Sequence, residues 1–193
     1  MKIGVLASQG AFAEHIYSLN KLDVEAVPVR LPAELKGVDG LILPGGESTT
    51  ISKMLNAYDL MQQIAALGKE GMPVFGTCAG MILMAKQISG NNTTPLGLMD
   101  IKVKRNAFGR QVDSFETELK IPALGKEPFH AVFIRAPIIE NCEANVEALA
   151  RLKDNTIVAV KQEKLMATAF HPELTDDLRF HKYFLEIATG KVK

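Results

Sequence analysis

The sequence predicts an α/β protein with a central, mostly parallel sheet, helices on both faces, and an antiparallel extension in the second half. Three observations point there. Short apolar runs alternate with helix-period segments through roughly the first half of the chain. Those runs are continuous rather than alternating, the pattern of strands buried on both faces. Beyond residue 100, strand-like segments follow one another too closely for helices to fit between them.

The elements follow in order. Residues 2–7 form a first strand. That run is too short for an export signal, and Gln9 and Glu14 follow it at once. Residues 11–22 carry helical periodicity. Residues 24–29 and 40–43 are the second and third strands, and residues 49–55 and 59–67 are helices. Residues 73–76 are a fourth strand, and residues 79–87 the helix after it. In the second half, residues 101–105, 116–121, 131–135, 146–151, 156–161 and 165–170 are strand-like. Their spacing predicts hairpins on the same core. Residues 176–188 close the chain as an amphipathic helix. Residues 90–95, Gly-Asn-Asn-Thr-Thr-Pro, read as a loop. With no repeat or linker in view, residues 1–193 are expected to form a single domain.

Composition narrows the function. The 193 residues include 22 Lys plus Arg and 22 Asp plus Glu, so the net charge is zero. That balance speaks against a nucleic-acid or anionic-membrane footprint. No apolar run reaches the ~18 residues of a membrane span. The two cysteines, Cys78 and Cys142, supply neither a zinc site nor a disulfide framework, and a reduced, cytoplasmic setting is expected. No cofactor and no metal is expected.

Gly76-Thr77-Cys78-Ala79-Gly80 lies between the fourth strand and its helix. Strand, tight Gly-x-Cys-x-Gly turn and helix make a nucleophile elbow, in which small flanking residues let the backbone fold sharply and lift the central side chain. A thiol at a helix start is biased toward thiolate. Ligands of parallel sheets bind beyond the carboxyl ends of the strands. That edge gathers residues 7–10, the Pro44-Gly45-Gly46-Glu47-Ser48-Thr49 loop and the elbow.

A cysteine nucleophile needs a base, and the base needs an orienting group. His171-Pro172-Glu173 offers both. Pro172 favours an extended conformation at His171, and residues i and i+2 of extended chain share a side, so Glu173 can face the imidazole. His15, His130 and His181 have no carboxylate placed in this way, and each is expected to fill a surface or packing role. The Gly45-Gly46 loop lacks the lysine and spacing of a phosphate loop. The Gly46 and Ala79 N–H groups can instead form an oxyanion hole. The same loop also reads as a turn capped by Ser48 or Thr49. Cys142 has no elbow and two acidic neighbours, and is taken as incidental.

The elbow, the Pro44-Gly45-Gly46 loop and His171-Pro172-Glu173 together resemble the class I (triad) glutamine amidotransferases. Further runs carry the likeness to the glutaminase subunits of pyridoxal 5′-phosphate synthase. They are Gln9-Gly10, Leu43 to Thr50, Arg105-Asn106-Ala107-Phe108-Gly109-Arg110-Gln111, Ser114-Phe115-Glu116, Phe133-Ile134-Arg135-Ala136-Pro137 and Phe170 to Leu174. The triad is common to the whole class, whereas Gly-Gly-Glu-Ser-Thr and Arg-Asn-x-Phe-Gly-Arg-Gln are more specific. The resemblance implies a flavodoxin-like three-layer fold and hydrolysis of L-glutamine to glutamate and ammonia by Cys78, His171 and Glu173. It also implies an oxyanion hole at Gly46 and Ala79 arranged with the help of Gln9, and glutamine binding at Gly46, Glu47, Ser48, Arg105, Ile134 and Arg135. It implies delivery of ammonia to a partner synthase subunit, in a large ring decorated by glutaminase subunits. That partner makes pyridoxal 5′-phosphate from ribose 5-phosphate and glyceraldehyde 3-phosphate. Two other readings stand beside this: a glutaminase serving another synthase, such as the histidine-pathway one, and a non-catalytic redox or stress protein on a similar fold.

Overall fold

A computed structural model of the chain describes residues 1–90, 93–105 and 114–192. The Asn106 to Gln111 part of the specific run above lies outside these residues, as do Asn91 and Asn92 of the loop.

The first half follows the expected alternation. β1 (Lys2–Leu6) leads to α1 (Phe12–Asn20), then β2 (Glu25–Val29) and β3 (Gly40–Leu43). α2 (Ser48–Ala57) and α3 (Leu60–Lys69) precede β4 (Val74–Thr77), and α4 (Ala79–Met84) follows the elbow. β3 and β4 are buried at every residue, as their unbroken apolar sequences require.

Two expectations along the chain are corrected. The helix foreseen over residues 79–87 stops at Met84. Ala85 turns extended (φ −60°, ψ 148°) and begins β5 (Ala85–Ser89). Ala-Lys-Gln suits a helix, but pairing with β6 (Met99–Lys104) overrides that local preference. In the second half, β7 (Ser114–Leu119), β8 (Phe129–Ile134), β10 (Glu147–Arg151), β11 (Ile157–Gln162) and β12 (Leu165–Thr168) match expected strands. A further strand, β9 (Ile138–Cys142), was not foreseen. Only its first two residues are apolar.

The main sheet runs β2-β1-β3-β4-β12-β11-β9-β6-β5, with β10 beside β11. Neighbours from β2 through β12 are parallel. β12-β11, β11-β9, β9-β6 and β11-β10 are antiparallel and form the extension. The expected hairpins are present: β10-β11 and β11-β12 are antiparallel neighbours in chain order, and β12 also pairs in parallel with β4, but β7 and β8 form a separate two-stranded sheet instead of extending the main one. Phe129 and Phe133 of β8 clamp that ribbon onto the body. Phe129 meets Phe180 edge-on with centroids 4.8 Å apart, and Phe133 meets Phe170 at 5.3 Å. Phe180 belongs to the closing helix α5 (Arg179–Ala188). The ribbon thereby carries Ile134 and Arg135 to the edge where the parallel strands end.

Chain order reverses between β1 and β3, and the crevice there is the usual ligand position of such sheets. The loops that meet at it are tied by close backbone contact. A Cβ on Gly10 (φ +88°) would stand 1.7 Å from the Gly45 carbonyl oxygen, and the Ala11 N–H donates to that oxygen at 3.3 Å. A Cβ on Gly80 would stand 1.9 Å from the Leu43 carbonyl oxygen, so only glycine lets α4 lie this close to β3. Gly80→Ala must push helix from strand. It is expected to cost about 3 kcal/mol or more in urea unfolding, the upper range for overpacking; a loss below about 0.5 kcal/mol would contradict this contact.

Candidate active site

Cys78 sits at φ +50°, ψ −101°, a conformation L-residues rarely adopt and one that costs about 1–3 kcal/mol. The surroundings impose it. The Cys78 N–H donates to the Thr168 carbonyl of β12 at 2.8 Å, and its carbonyl accepts from the Ile82 N–H at 3.3 Å. Gly76 and Gly80 touch beneath the turn, where a Cβ on Gly76 would lie 2.7 Å from Gly80 carbonyl carbon. This is the elbow the sequence predicts. Its thiol is free and only 7% exposed.

The His171 ring covers Gly45, where a Cβ would lie 2.3 Å from the ring Cε1. The His171 backbone N–H donates to Val132 of β8 at 2.9 Å. Its Nδ1 is 2.7 Å from Glu173 Oε1, and the Glu173 side chain is fully buried. The pairing was expected from an extended chain. It is made instead by a 3-10 turn over Pro172–Leu174, because the fixed φ of Pro172 suits the first position of such a turn. Burial works against a charged His171. Hydrogen bonding with Cys78 and Glu173, and the charges of both, outweigh it and raise its pKa to about 10.

Cys78 and His171 open onto one cavity of about 320 Å³, in the size range of small-ligand sites. It is also lined by Gln9, Gly46, Glu47, Ser48, Arg105, Ile134 and Arg135, all singled out from the sequence, and by Ile82, which was not. Ile82 is four residues past Cys78, so helix spacing could have found it. Ala79 is buried as the first residue of α4, where an N–H has no intrahelical partner. Arg135 follows β8 in the left-handed region (φ +42°) and is exposed.

Glu47, rather than Ser48 or Thr49, caps α2. Its carboxylate accepts from Thr49 N–H at 3.0 Å and from Thr50 N–H at 2.7 Å, filling two donors a single hydroxyl could not. It also takes the Thr50 hydroxyl at 2.8 Å and Arg105 Nη2 at 2.8 Å. Burial opposes its ionisation, but the Thr50 and Thr49 hydrogen bonds bring it down to about 2. Arg105 also donates to Thr49 Oγ1 at 3.0 Å. Gln9 Oε1 accepts the Glu47 N–H at 2.9 Å. The Ser48 hydroxyl is buried without a hydrogen-bond partner among the described residues.

Of the other histidines, His130 is exposed between Glu118 and Glu116, at 2.8 Å from each. His15 and His181 are fully buried, with His15 Nδ1 3.0 Å from His181 Nε2. His15 Nε2 lies 3.2 Å from Thr77 Oγ1 and 3.4 Å from Glu173 Oε2. No local signal marks the meeting of these two with the His171–Glu173 pair, since His15 of α1 and His181 of α5 lie 166 residues apart along the chain.

Fold and elbow together place the molecule among α/β proteins that raise a cysteine on a tight turn at the carboxyl edge of a parallel sheet. The chain belongs to the SNO glutamine amidotransferase family, which matches residues 5–189. It is 60% identical over 187 residues to the pyridoxal 5'-phosphate synthase subunit PdxT of Moorella thermoacetica, covering 97% of this chain and 99% of that one. It is 56% identical over 186 residues to the subunit of the same name from Carboxydothermus hydrogenoformans, covering 96% and 97%. A crystal structure described as a glutamine amidotransferase superposes with a TM-score of 0.92 at 48% identity, covering 97% of this chain and 98% of that one. No helix among the described residues is long and apolar enough to cross a membrane.

Burial pushes His15 well below the ordinary histidine range, with the neighbouring His181 and His171 adding to it, and burial alone takes His181 to about 4. Histidines kept neutral in the fold stabilise it fully above about pH 6.5 and less as pH falls, because the unfolded chain binds protons the folded one refuses. His171 has the opposite sign: its contribution is complete below about 6.5 and is lost as pH rises through about 10. Unfolding free energy is therefore expected to fall between pH 6 and 5, and His181→Gln to lower that slope by about one proton, or ~1.4 kcal/mol per pH unit. Equal slopes in urea titrations of both proteins would refute this assignment.

Proposed function

We propose that this chain hydrolyses L-glutamine at Cys78 and hands the ammonia to a synthase subunit that makes pyridoxal 5′-phosphate. The observation that carries the reading is the 2.7 Å contact of Glu173 with His171, whose ring shares one cavity with the elbow cysteine. The Cys78 sulfur attacks the side-chain amide carbon, and the N–H groups of Gly46 and Ala79 receive the oxyanion, in a hole Gln9 helps to arrange. His171 takes the proton of the Cys78 thiol as the sulfur attacks and gives it to the departing nitrogen, which leaves as ammonia. It then takes a proton from the water that splits the thioester to glutamate and restores the thiol. Glu173 keeps the imidazole in the tautomer with Nδ1 protonated.

Glu47, Ser48, Arg105, Ile134 and Arg135 receive the amino-acid end, with Gly46 at the amide end. The four Glu47 contacts, two on each oxygen, use its acceptor capacity, and Arg105 holds one of them. A zwitterion can exchange this one ion pair for two: its carboxylate draws Arg105 away, and its ammonium takes the place left on Glu47. A ligand with only one of the two charges would strand the other partner.

Residues 1–193 act as one glutaminase domain, since a single buried core runs through both halves. The relatives' names favour a vitamin B6 synthase over a histidine-pathway one, and a cytoplasmic setting goes with that role. Ammonia released into neutral water is protonated and loses its nucleophilicity, so the partner must receive it directly, in the ring assembly the resemblance implies.

Incubation with glutamine and the candidate synthase subunit should release glutamate and form pyridoxal 5′-phosphate from the two sugar phosphates. Cys78→Ala should abolish glutamate release while leaving the melting temperature within a few degrees of the parent; retained release would refute the reading. Arg105→Gln should raise KM for glutamine about tenfold or more with a smaller change in kcat, as loss of a charged hydrogen bond to the ligand requires. An unchanged KM would remove Arg105 from the binding site.

A further inference from the structure

His15, His181 and Thr77 form a buried polar group directly behind Glu173, and the hydrolysis as described gives them no part. Glu173 Oε1 is engaged by His171. Its other oxygen, Oε2, is fully buried and makes no conventional hydrogen bond among the described residues. A buried carboxylate oxygen left so is costly. The polar atom facing it is His15 Nε2, at 3.4 Å.

That approach fixes where the His15 proton sits. With the proton on Nδ1, a nitrogen lone pair would face a carboxylate oxygen, two negative ends in a dry site. With the proton on Nε2, the N–H bonds to Thr77 Oγ1, 3.2 Å away, and presents its positive end to Glu173 Oε2 at 3.4 Å. Nδ1 is then an acceptor, and His181 Nε2 at 3.0 Å must donate to it. His181 Nδ1 carries no proton in this arrangement, which agrees with its lack of a partner among the described residues. Each ring thus holds one proton, as expected of two histidines that burial keeps neutral. Thr77 closes a second path. Its oxygen also accepts the Gly45 N–H at 3.1 Å, and Gly45 is the floor under the His171 ring.

We propose that His15 is a positioning residue for the reaction: its Nε2–H holds the second oxygen of Glu173, and so the orientation of His171, while His181 locks the His15 tautomer from behind. This rests on the glutaminase reading for its kinetic consequence but not for its geometry. Neutrality is part of the device. A charged His15 would draw on the Glu173 carboxylate that His171 depends on.

Two measurements test it. In the unaltered protein with ¹⁵N-labelled histidine, NMR shifts should show His15 protonated at Nε2 and bare at Nδ1; the opposite tautomer would overturn the proposal whatever the enzyme does with glutamine. In the complex with the synthase subunit, His15→Leu should lower glutaminase kcat by about tenfold to a hundredfold, the scale of one hydrogen bond to a charged group, with KM changed less than about threefold. It should also broaden or abolish the downfield His171 Nδ1 proton resonance. His15→Gln, which can return an N–H near the Nε2 position, should restore kcat to within about fivefold and recover the resonance. Full kcat and an intact resonance in His15→Leu, or equal losses in both variants, would sink the positioning role. An unaltered complex that releases no glutamate would instead sink the glutaminase reading, and the tautomer measurement would still decide this one.

Discussion

A cysteine at φ +50°, ψ −101° does not hold that shape by itself, and much of the site's architecture works to hold it. Three pieces converge on the turn. β12 takes the Cys78 N–H, α4 returns an N–H to its carbonyl, and the Leu43 end of β3 meets Gly80 at backbone distance. Each is possible only because β4 is an interior strand with β3 on one side and β12 on the other. β12, late in the chain, thus has two neighbours: it closes a hairpin with β11 on one edge and completes the parallel block beside β4 on the other. The strain at Cys78 is offset by sheet hydrogen bonds and core burial that no surface loop could supply.

The same edge concentrates the costs of burying charge. Glu173 is fully buried, and His171 nearly so. Glu47 shares the cavity with Cys78 and His171, and Glu173, His15 and His181 follow one another behind the His171 ring, yet each has a distinct electrostatic setting. Glu47 keeps its charge at the pocket rim because backbone donors of α2 and Arg105 surround it. Glu173 is placed against His171, and the rings behind it are held neutral by burial. A single imidazolium thus sits between the sulfur and a carboxylate, with no competing cation on that side among the described residues.

Much of this was legible in the sequence, and the limits have physical causes. The parallel strands announced themselves because burial on both faces leaves unbroken apolar runs such as Gly-Leu-Ile-Leu. The elbow and His171-Pro172-Glu173 were legible because their geometry is local, set by glycine and proline. β9 was not, since its Glu140-Asn141-Cys142 half carries no strand signal and its pairing with β6 is long-range. The end of α4 was misread because Ala85, Lys86 and Gln87 are good helix formers that tertiary pairing overrides. Glu47 was read as a ligand contact; its work as a helix cap depends on side-chain direction, which spacing alone does not reveal. His15 and His181 were passed over because neither has a partner nearby in sequence, and their meeting depends on α1 and α5 covering the same part of the sheet.

On the proposed reaction, the interactions that raise His171 also determine when its proton leaves. At rest the imidazolium is supported from two sides, by the Cys78 sulfur and by Glu173. A group held at about 10 is a poor acid at neutral pH, and on its own that would stall departure of the amine. The support from sulfur does not last, however. As the S–C bond forms, the negative charge moves from sulfur to the oxyanion, away from the ring. His171 then keeps only Glu173 beside it, burial reasserts its downward pull, and the pKa falls toward the range in which proton donation is favourable. Acid strength is thus coupled to bond formation: the proton is withheld until the S–C bond has formed and released once the leaving nitrogen needs a proton. The coupling requires that nothing else take over the support of His171 when sulfur withdraws. Neutral rings at His15 and His181, with the carboxylate between them and His171, meet that requirement.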